Sequence, residues 1–434
     1  MLTITDLSTT GKEAFLRKLA ERERGIPANV RDTVAAIVAD VRARGDAAVL
    51  EYTQRFDRVR LEPEQLLVTK AEIDAACAAI PKQTIAALER AAENITAFHR
   101  RQVHQSWLDM QPGSALGQKV TPLDRAAVYV PGGRGAYPSS VLMNALPAKV
   151  AGVGELVMAT PPMADGSVFP STLAAARVAG VERIFKIGGA QAIAALAFGT
   201  ATVPRADKIV GPGNIYVAAG KREVFGYCGI DSIAGPSEVC VVADDSANPR
   251  FVAADLLAQA EHDPMASAIL VTDSALLAQA VAEEVQRQLA NLDRREIAGE
   301  SIDTYGAALV VGSIAEALEL ANELAPEHLE LLVREPMQWL GAVRNAGAVF
   351  LGPWCPEPLG DYLAGPNHVL PTGGTARFFS PLSVDDFIKK TSVLYYTQDA
   401  LRQACGDIVT LANSEGLTAH AASAAIRFEQ EGNQ

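Results

Sequence analysis

Ala126-Ala-Val-Tyr-Val130-Pro-Gly-Gly133 is a short apolar run that ends in a turn, and the chain changes texture there. Such a run, closed by Pro-Gly-Gly, reads as a buried strand entering a tight turn. The same figure recurs downstream at Glu155-Leu-Val-Met-Ala159, Arg183-Ile-Phe-Lys-Ile187 and Lys208-Ile-Val210. Ala-rich helical segments such as Gln191 to Phe198 lie between the runs. This alternation of strand and helix predicts a parallel sheet.

A second series starts at Ser237-Glu-Val-Cys-Val-Val-Ala243. It continues through Ala268-Ile-Leu-Val271, Ala308-Leu-Val-Val311, Glu330-Leu-Leu-Val333 and Gly347-Ala-Val-Phe-Leu351, with an amphipathic helix from Leu276 to Leu289. Upstream, residues 1–125 read mainly as helix, with apolar positions at helical spacing in 30–56 and 71–99. The tail from Ser383 onward reads as helical too. The expected fold is α/β, with two Rossmann-like parallel-sheet domains and helical extensions at both ends.

The chain has 434 residues, 49% of them apolar, so it can bury a large core spread over more than one domain. A net charge of −13 argues against nucleic acid as a partner, because phosphate contacts need a basic surface. The N-terminus has no basic region followed by an apolar run, and no apolar stretch is long enough for a bilayer span. Five scattered cysteines show neither disulfide spacing nor a CxxC pair, which points to a reducing cytoplasm.

Four of the six histidines lie near acids in the C-terminal half. Gln259 and His262 are three apart on an expected helix, so they share one face and could reach one ion. Taken alone, such a pair is more often solvated surface. Asp361 and His368 sit on a Gly/Pro-rich segment after the strand near 347–351. Open α/β sheets bind ligands at the carboxyl ends of strands, which makes this segment a candidate site loop. Glu327 and His328 are neighbours just before a strand, and extended backbone would point their side chains apart. His420 closes Glu415-Gly-Leu-Thr-Ala-His420 in the tail, whereas His99 and His104 read as a solvated helix end. Imidazole and carboxylate together suit a metal site, a general base, or both.

Three glycine-rich turns follow strands of the first series, after Tyr129, at Gly188-Gly-Ala-Gln191 and at Gly211-Pro-Gly-Asn214. Backbone amides at such turns can approach a phosphate, although the GxGxxG dinucleotide fingerprint is absent.

Taken together, these segments resemble the histidinol dehydrogenase family over about residues 30–428. The strings that carry the resemblance are Val130-Pro-Gly-Gly133, Gly188 to Thr200, Gly211-Pro-Gly-Asn214, Ala234-Gly-Pro-Ser-Glu238, Gln259-Ala-Glu-His262, Pro326-Glu-His328, Gly360-Asp361, Asn367 to Thr372 and Leu417-Thr-Ala-His420. The resemblance implies oxidation of L-histidinol to L-histidine through an aldehyde, with Zn2+ and two NAD+. It implies Gln259, His262, Asp361 and His420 as zinc ligands, His328 as base and Glu327 as the acid that activates water. The substrate would meet Ser237, Glu415, His368, His328 and the metal ligands, while Tyr129, Gln191 and Asn214 would contact NAD.

The implied organisation is an N-terminal extension over 1–29, a metal and catalytic domain from 30–125 plus 237–380, an NAD-contacting domain over 126–236 and a tail over 381–434. The family also implies a cytoplasmic homodimer with exchanged segments, in which His420 reaches the partner's site. A cysteine route for aldehyde oxidation is disfavoured, because Cys240 lies in an apolar strand where an inert thiol is expected. The competing readings are a paralogous zinc- and NAD-dependent dehydrogenase of another small alcohol, a zinc hydrolase, for which HExxH is missing, and a metal-binding scaffold.

Overall fold

The computed structural model describes residues 2–7, 11–22, 25–132, 135–233 and 235–429. Gly133 and Ala234, which belong to two of the motifs above, lie outside the described residues. The chain forms two compact units, Met1–Val103 with Leu123–Phe387, and His104–Pro122 with Ile388–Gln434.

The first unit holds two parallel sheets. One comprises β4 (Arg125–Tyr129), β5 (Glu155–Thr160), β6 (Arg183–Lys186), β7 (Lys208–Val210) and β8 (Gly229–Ile230), in the spatial order β6-β5-β4-β7-β8. The other comprises β1 (Thr3–Asp6), β9 (Glu238–Ala243), β10 (Ser267–Thr272), β11 (Ala307–Val310), β12 (His328–Leu332) and β13 (Ala348–Leu351). Its order is β1-β11-β10-β9-β12-β13. Leaving β1 aside, each sheet steps outward from its first strand, returns and continues on the other side. This is the doubly wound order, with a switch point between β4 and β7 in one sheet and between β9 and β12 in the other.

Apolar residues run continuously along these strands because helices cover both faces. In β4, Ala126 and Val128 join one core cluster while Ala127 and Tyr129 join another. In β9, Val239 and Val241 face one cluster, and Cys240 and Val242 face its opposite. The period of two along an extended chain distributes them in this way.

The second unit contains β2 (Trp107–Gln111), β3 (Ser114–Pro122) and β14 (Ile388–Tyr396) as an antiparallel sheet in the order β14-β3-β2. The helices Gln398–Ser414 and Thr418–Ala425 follow.

The helical reading of 1–125 and of the tail is corrected at four strands, β1, β2, β3 and β14. All but β3 are largely exposed, so no buried face imposes an apolar run on their sequence. The turn Pro112-Gly113, with Gly113 at φ +82°, was the available hairpin signal. His99 is corrected as well. It lies near the end of the helix Lys82–Arg100 and is fully buried, not solvated. Its Nδ1–H donates to Gln102 Oε1 at 2.6 Å, and its Nε2 accepts from Asn367 Nδ2 at 3.3 Å. Burial lowers its pKa and keeps it neutral, and the Asn367 bond ties this helix to the segment bearing His368.

Candidate active site

The parallel pairing of β9 and β12 sets His328 opposite Val239, so Glu238 and His328 both begin their strands at one sheet edge. Both backbone groups of Glu238 are used there. Its N–H donates to Glu327 Oε2 at 2.9 Å, and its carbonyl accepts from His328 Nδ1 at 3.0 Å. A carbonyl only accepts, so Nδ1 carries a proton, and in the neutral ring the lone pair is on Nε2. That buried Nε2 has no hydrogen-bond partner among the described residues and lies 3.7 Å from Asp361 Oδ1. Glu327 and His328 themselves stand 3.8 Å apart and do not bond to each other, in keeping with their divergent directions on extended backbone.

Asp361 reaches this edge by an indirect route. After β13 the chain turns back through the short helix Glu357–Leu359 and the π-helical turn Gly360–Ala364. The backbone N–H of Glu357 donates to Glu330 Oε1, within β12, at 3.0 Å. The segment therefore runs back along the sheet, and Asp361 meets the first residue of β12. The cluster accordingly gathers at the amino edge of the six-stranded sheet, a correction to the carboxyl-end placement expected for this loop.

The helix Pro249–Ala260 brings Gln259 and, just beyond its end, His262 to the same place. Gln259 is fully buried, so the solvated-surface alternative fails for it. The imidazoles of His262, His328 and His368 all act on the Asp361 charge and hold its carboxyl below the usual range despite burial. Burial of the rings lowers the pKa of His368 and of His262, although His262 as a residue is exposed, and favours neutral imidazoles.

The acids here are unusually deep. Burial pushes Glu327 up to about 7 and Glu357 up to about 8. Glu330 is raised well above the normal range by burial, then by Asp255 and Glu357. Burial works against the charged form of His328, but the carboxylates of Glu357, Glu327 and Asp361 outweigh it and raise its pKa. A pocket with this many buried carboxyls and neutral imidazoles suits a divalent cation, which compensates the charge that burial penalises. His328, Glu357 and Asp361 offer ligand atoms within 4.8 Å of one another. Gln259 and His262 extend that donor set with an amide oxygen and a second imidazole.

The expected NAD contacts gather elsewhere, around the carboxyl end of the five-stranded sheet. Tyr129 ends β4, and its buried hydroxyl accepts from the Gly189 N–H at 3.1 Å. Gly189 has φ +62°, and a Cβ there would stand 2.8 Å from Gln191 Oε1, so the turn requires glycine. Gln191 is buried, yet neither of its amide atoms has a partner among the described residues. Asn214 caps the helix Ile215–Val224, accepting from Tyr216 N at 3.0 Å and Val217 N at 3.2 Å. Asn214 itself is exposed. Gly211, with φ +120°, passes so close to Tyr129 that a Cβ would stand 2.1 Å from the Tyr129 carbonyl oxygen.

Asp57, which carried no sequence signal, also lies here. Its Oδ1 would sit 3.2 Å from a Cβ on Gly188, and its Oδ2 is buried without a partner among the described residues. Burial pushes the Asp57 carboxyl up to about 6 from 3.8. A raised folded-state pKa means that its contribution to stability is complete below about pH 4 and lost as pH rises through 6. Asp57→Asn is expected to raise the melting temperature by about 1–2 °C at pH 8, after discounting for partial exposure, and to leave it unchanged near pH 4. Paired thermal melts at the two pH values check this, and an equal shift at both would contradict the charge argument.

Ser237 is half-buried just before β9, with its carbonyl accepting from Ser267 N at 3.0 Å. Glu415 and His420 belong to the second unit, at the end of the helix Gln398–Ser414 and within the helix Thr418–Ala425, and both are exposed. Cys240 is fully buried, and burial pushes its thiol up to about 12, which removes it as a nucleophile. Sequence reasoning missed the roles of Glu238, Asp255, Glu330 and Glu357. The signals were an acid inside the apolar run Glu330-Leu-Leu-Val333 and the four-residue spacings Asp255–Gln259 and Glu357–Asp361.

Residues 20–428 match the family model described as histidinol dehydrogenase. The chain is 54% identical over 429 residues to the histidinol dehydrogenase of Geobacter metallireducens, covering 98% of each chain. It is 52% identical over 427 residues to that of Clostridium acetobutylicum, again covering 98% of each. The crystal structure of histidinol dehydrogenase from Elizabethkingia anophelis superposes with a TM-score of 0.91 at 35% identity, with 98% of each chain covered.

Proposed function

The chain belongs to the histidinol dehydrogenase family of oxidoreductases, and from that premise we propose that it oxidises L-histidinol to L-histidine in two steps, with Zn2+ and two NAD+, as the last reaction of histidine biosynthesis. The observation that carries the reading is the tautomer of His328. Glu238 fixes the proton on Nδ1 and leaves Nε2 free beside Asp361.

The proposed zinc ligands are Gln259, His262, Asp361 and His420. Two imidazoles with two oxygen donors suit this ion. The bound ion supplies a positive charge that anchors the substrate's imidazole and amino group. NAD+, held by Tyr129, Gln191 and Asn214, supplies the hydride acceptor.

The chain's own groups then handle protons and position. His328 Nε2 takes the hydroxyl proton as the carbinol carbon releases hydride, giving the aldehyde. Glu327 takes a proton from the water that adds to the aldehyde while the protonated His328 returns one to the carbonyl oxygen. The resulting diol gives up a second hydride to NAD+ and a hydroxyl proton to His328, yielding the carboxylic acid. A carboxyl pushed up to about 7 is poised for that exchange near neutral pH. Ser237, His368 and Glu415 are proposed to hold the substrate. Its imidazole meets the neutral pair His262 and His368 without charge repulsion.

The active site is proposed to be shared in a cytoplasmic homodimer with exchanged segments, Glu415 and His420 serving the partner's site. The second unit supports this with an apolar surface on its sheet and helix. Met110 is 68% exposed, Leu394 72% and Leu411 66%, more than an isolated small unit ordinarily leaves in water. Among the described residues no helix is long and apolar enough to cross a membrane.

The test is a count of NADH per molecule consumed. The natural protein should form two NADH per L-histidinol and none after verified removal of zinc. Glu327→Gln should form about one, with the aldehyde trapped by semicarbazide, because alcohol oxidation needs no added water. A natural ratio near one, or full activity without metal, would undo the two-step reading.

A further inference from the structure

We propose that Glu357 is a positioning residue that turns the Gln259 carboxamide so that its oxygen faces the zinc ion. The inference rests on the metal reading above and names a residue outside the proposed ligand set.

A carboxamide offers a metal only its oxygen, since the nitrogen lone pair is delocalised and the nitrogen carries two protons. Oxygen and nitrogen are similar in size, so a buried glutamine can point either way unless a neighbour decides. Here the neighbour is Glu357. With the nitrogen toward it, Gln259 Nε2 lies 2.8 Å from Glu357 Oε1 and 2.9 Å from Oε2. With Glu357 ionised, as a cation bound beside it would favour, the reverse orientation would set an amide oxygen against two carboxylate oxygens, acceptor against acceptor. His328 Nδ1 lies 3.3 Å from the same nitrogen but cannot accept from it, because that ring nitrogen already donates to the Glu238 carbonyl. The preference therefore rests on the Glu357 carboxylate alone.

Glu357 is itself held in place. It is buried, and its backbone N–H is bonded to Glu330 within β12. Gln259 and Asp255 stand four apart on the helix Pro249–Ala260, so one helix face carries both toward the carboxyl group formed by Glu330 and Glu357. Outer-shell partners of this kind fix ligand orientation, and their loss ordinarily weakens metal binding by about 10–100-fold.

A swap experiment tests the assignment on the full chain without recourse to turnover. Zinc affinity is measured by competition with a chromophoric chelator and by the zinc-dependent shift in melting temperature. The proteins compared are the natural one, Glu357→Gln, Gln259→Glu and the double variant. Glu357→Gln should weaken zinc binding by about tenfold or more in the natural background. In the Gln259→Glu background the same change should strengthen binding. There it replaces a clash of two carboxylates with an amide–carboxylate pair of reversed sense, leaving one oxygen of residue 259 for the ion. A direct ligand, or a residue needed only for folding, would weaken binding in both backgrounds, and that outcome overturns the proposal. So does an unchanged affinity in both. If the natural protein binds no zinc, the metal reading itself fails and this inference falls with it; an insensitive variant of a zinc-binding protein refutes this inference alone.

Discussion

His328→Asn should lower the turnover of L-histidinol by about 10²–10⁴-fold while leaving KM and zinc affinity within a few-fold of the natural protein. Asparagine is chosen because its amide nitrogen occupies roughly the place of imidazole Nδ1. It can keep the bond to the Glu238 carbonyl, now 3.0 Å, and so keep the pairing of β9 and β12 at their first residues. What it lacks is the group at Nε2, which faces Asp361 across 3.7 Å. The loss should thus fall on proton removal from the hydroxyl and not on folding or binding. The carboxylates of Glu357, Glu327 and Asp361 hold up the pKa of this imidazole, and a cation bound by Asp361 offsets part of that pull. Steady-state NADH formation measures the loss. A larger isotope effect with substrate deuterated at the hydroxymethyl carbon should accompany it, because chemistry becomes slower than product release. A turnover within tenfold of natural, with no rise in the isotope effect, would remove His328 from the role of base.

The reach of the sequence reading followed burial. Strands covered on both faces, such as β4, β9 and β10, carry unbroken apolar runs and were legible one by one. Strands whose faces are open carry no such run, which is why β2 and β14 read as helix. The site divides along a similar line. Gln259, His262, Glu327, His328 and Asp361 were nameable from their motifs, but their common edge of the sheet was not. That edge depends on the chain doubling back between β13 and Asp361, a return fixed by the Glu357–Glu330 bond between residues 27 apart in sequence. The groups that orient the named residues, the Glu238 backbone and the Glu357 carboxylate, act across gaps of 89 to 98 residues, as in the Glu238–Glu327 bond with |i−j| of 89. Periodicity within one element cannot carry such pairings.

Asp361→Ala and His420→Ala should each reduce histidinol oxidation by about 10³-fold or more, the loss expected when several kcal/mol of positioning and charge stabilisation disappear. The two substitutions differ in what else they disturb. Asp361 is largely buried and faces three imidazoles, so its removal alters the charge of the whole pocket. His420 is exposed on its helix, so its removal should leave the melting temperature of the metal-free protein unchanged within about 1 °C. Mixing them separates a shared site from a self-contained one. If His420 serves the partner, a dimer of one Asp361→Ala chain and one His420→Ala chain concentrates both lesions in one site and leaves the other intact. Random co-refolding makes about half the dimers mixed, so the mixture should regain about a quarter of natural activity and bind zinc in the same proportion. If the tail instead served its own chain, every site in the mixed dimer would carry one lesion and neither activity nor zinc would return. The recovered fraction is therefore a count of intact sites, and a mixture that stays inactive while mixed dimers are shown to form would assign His420 to its own chain.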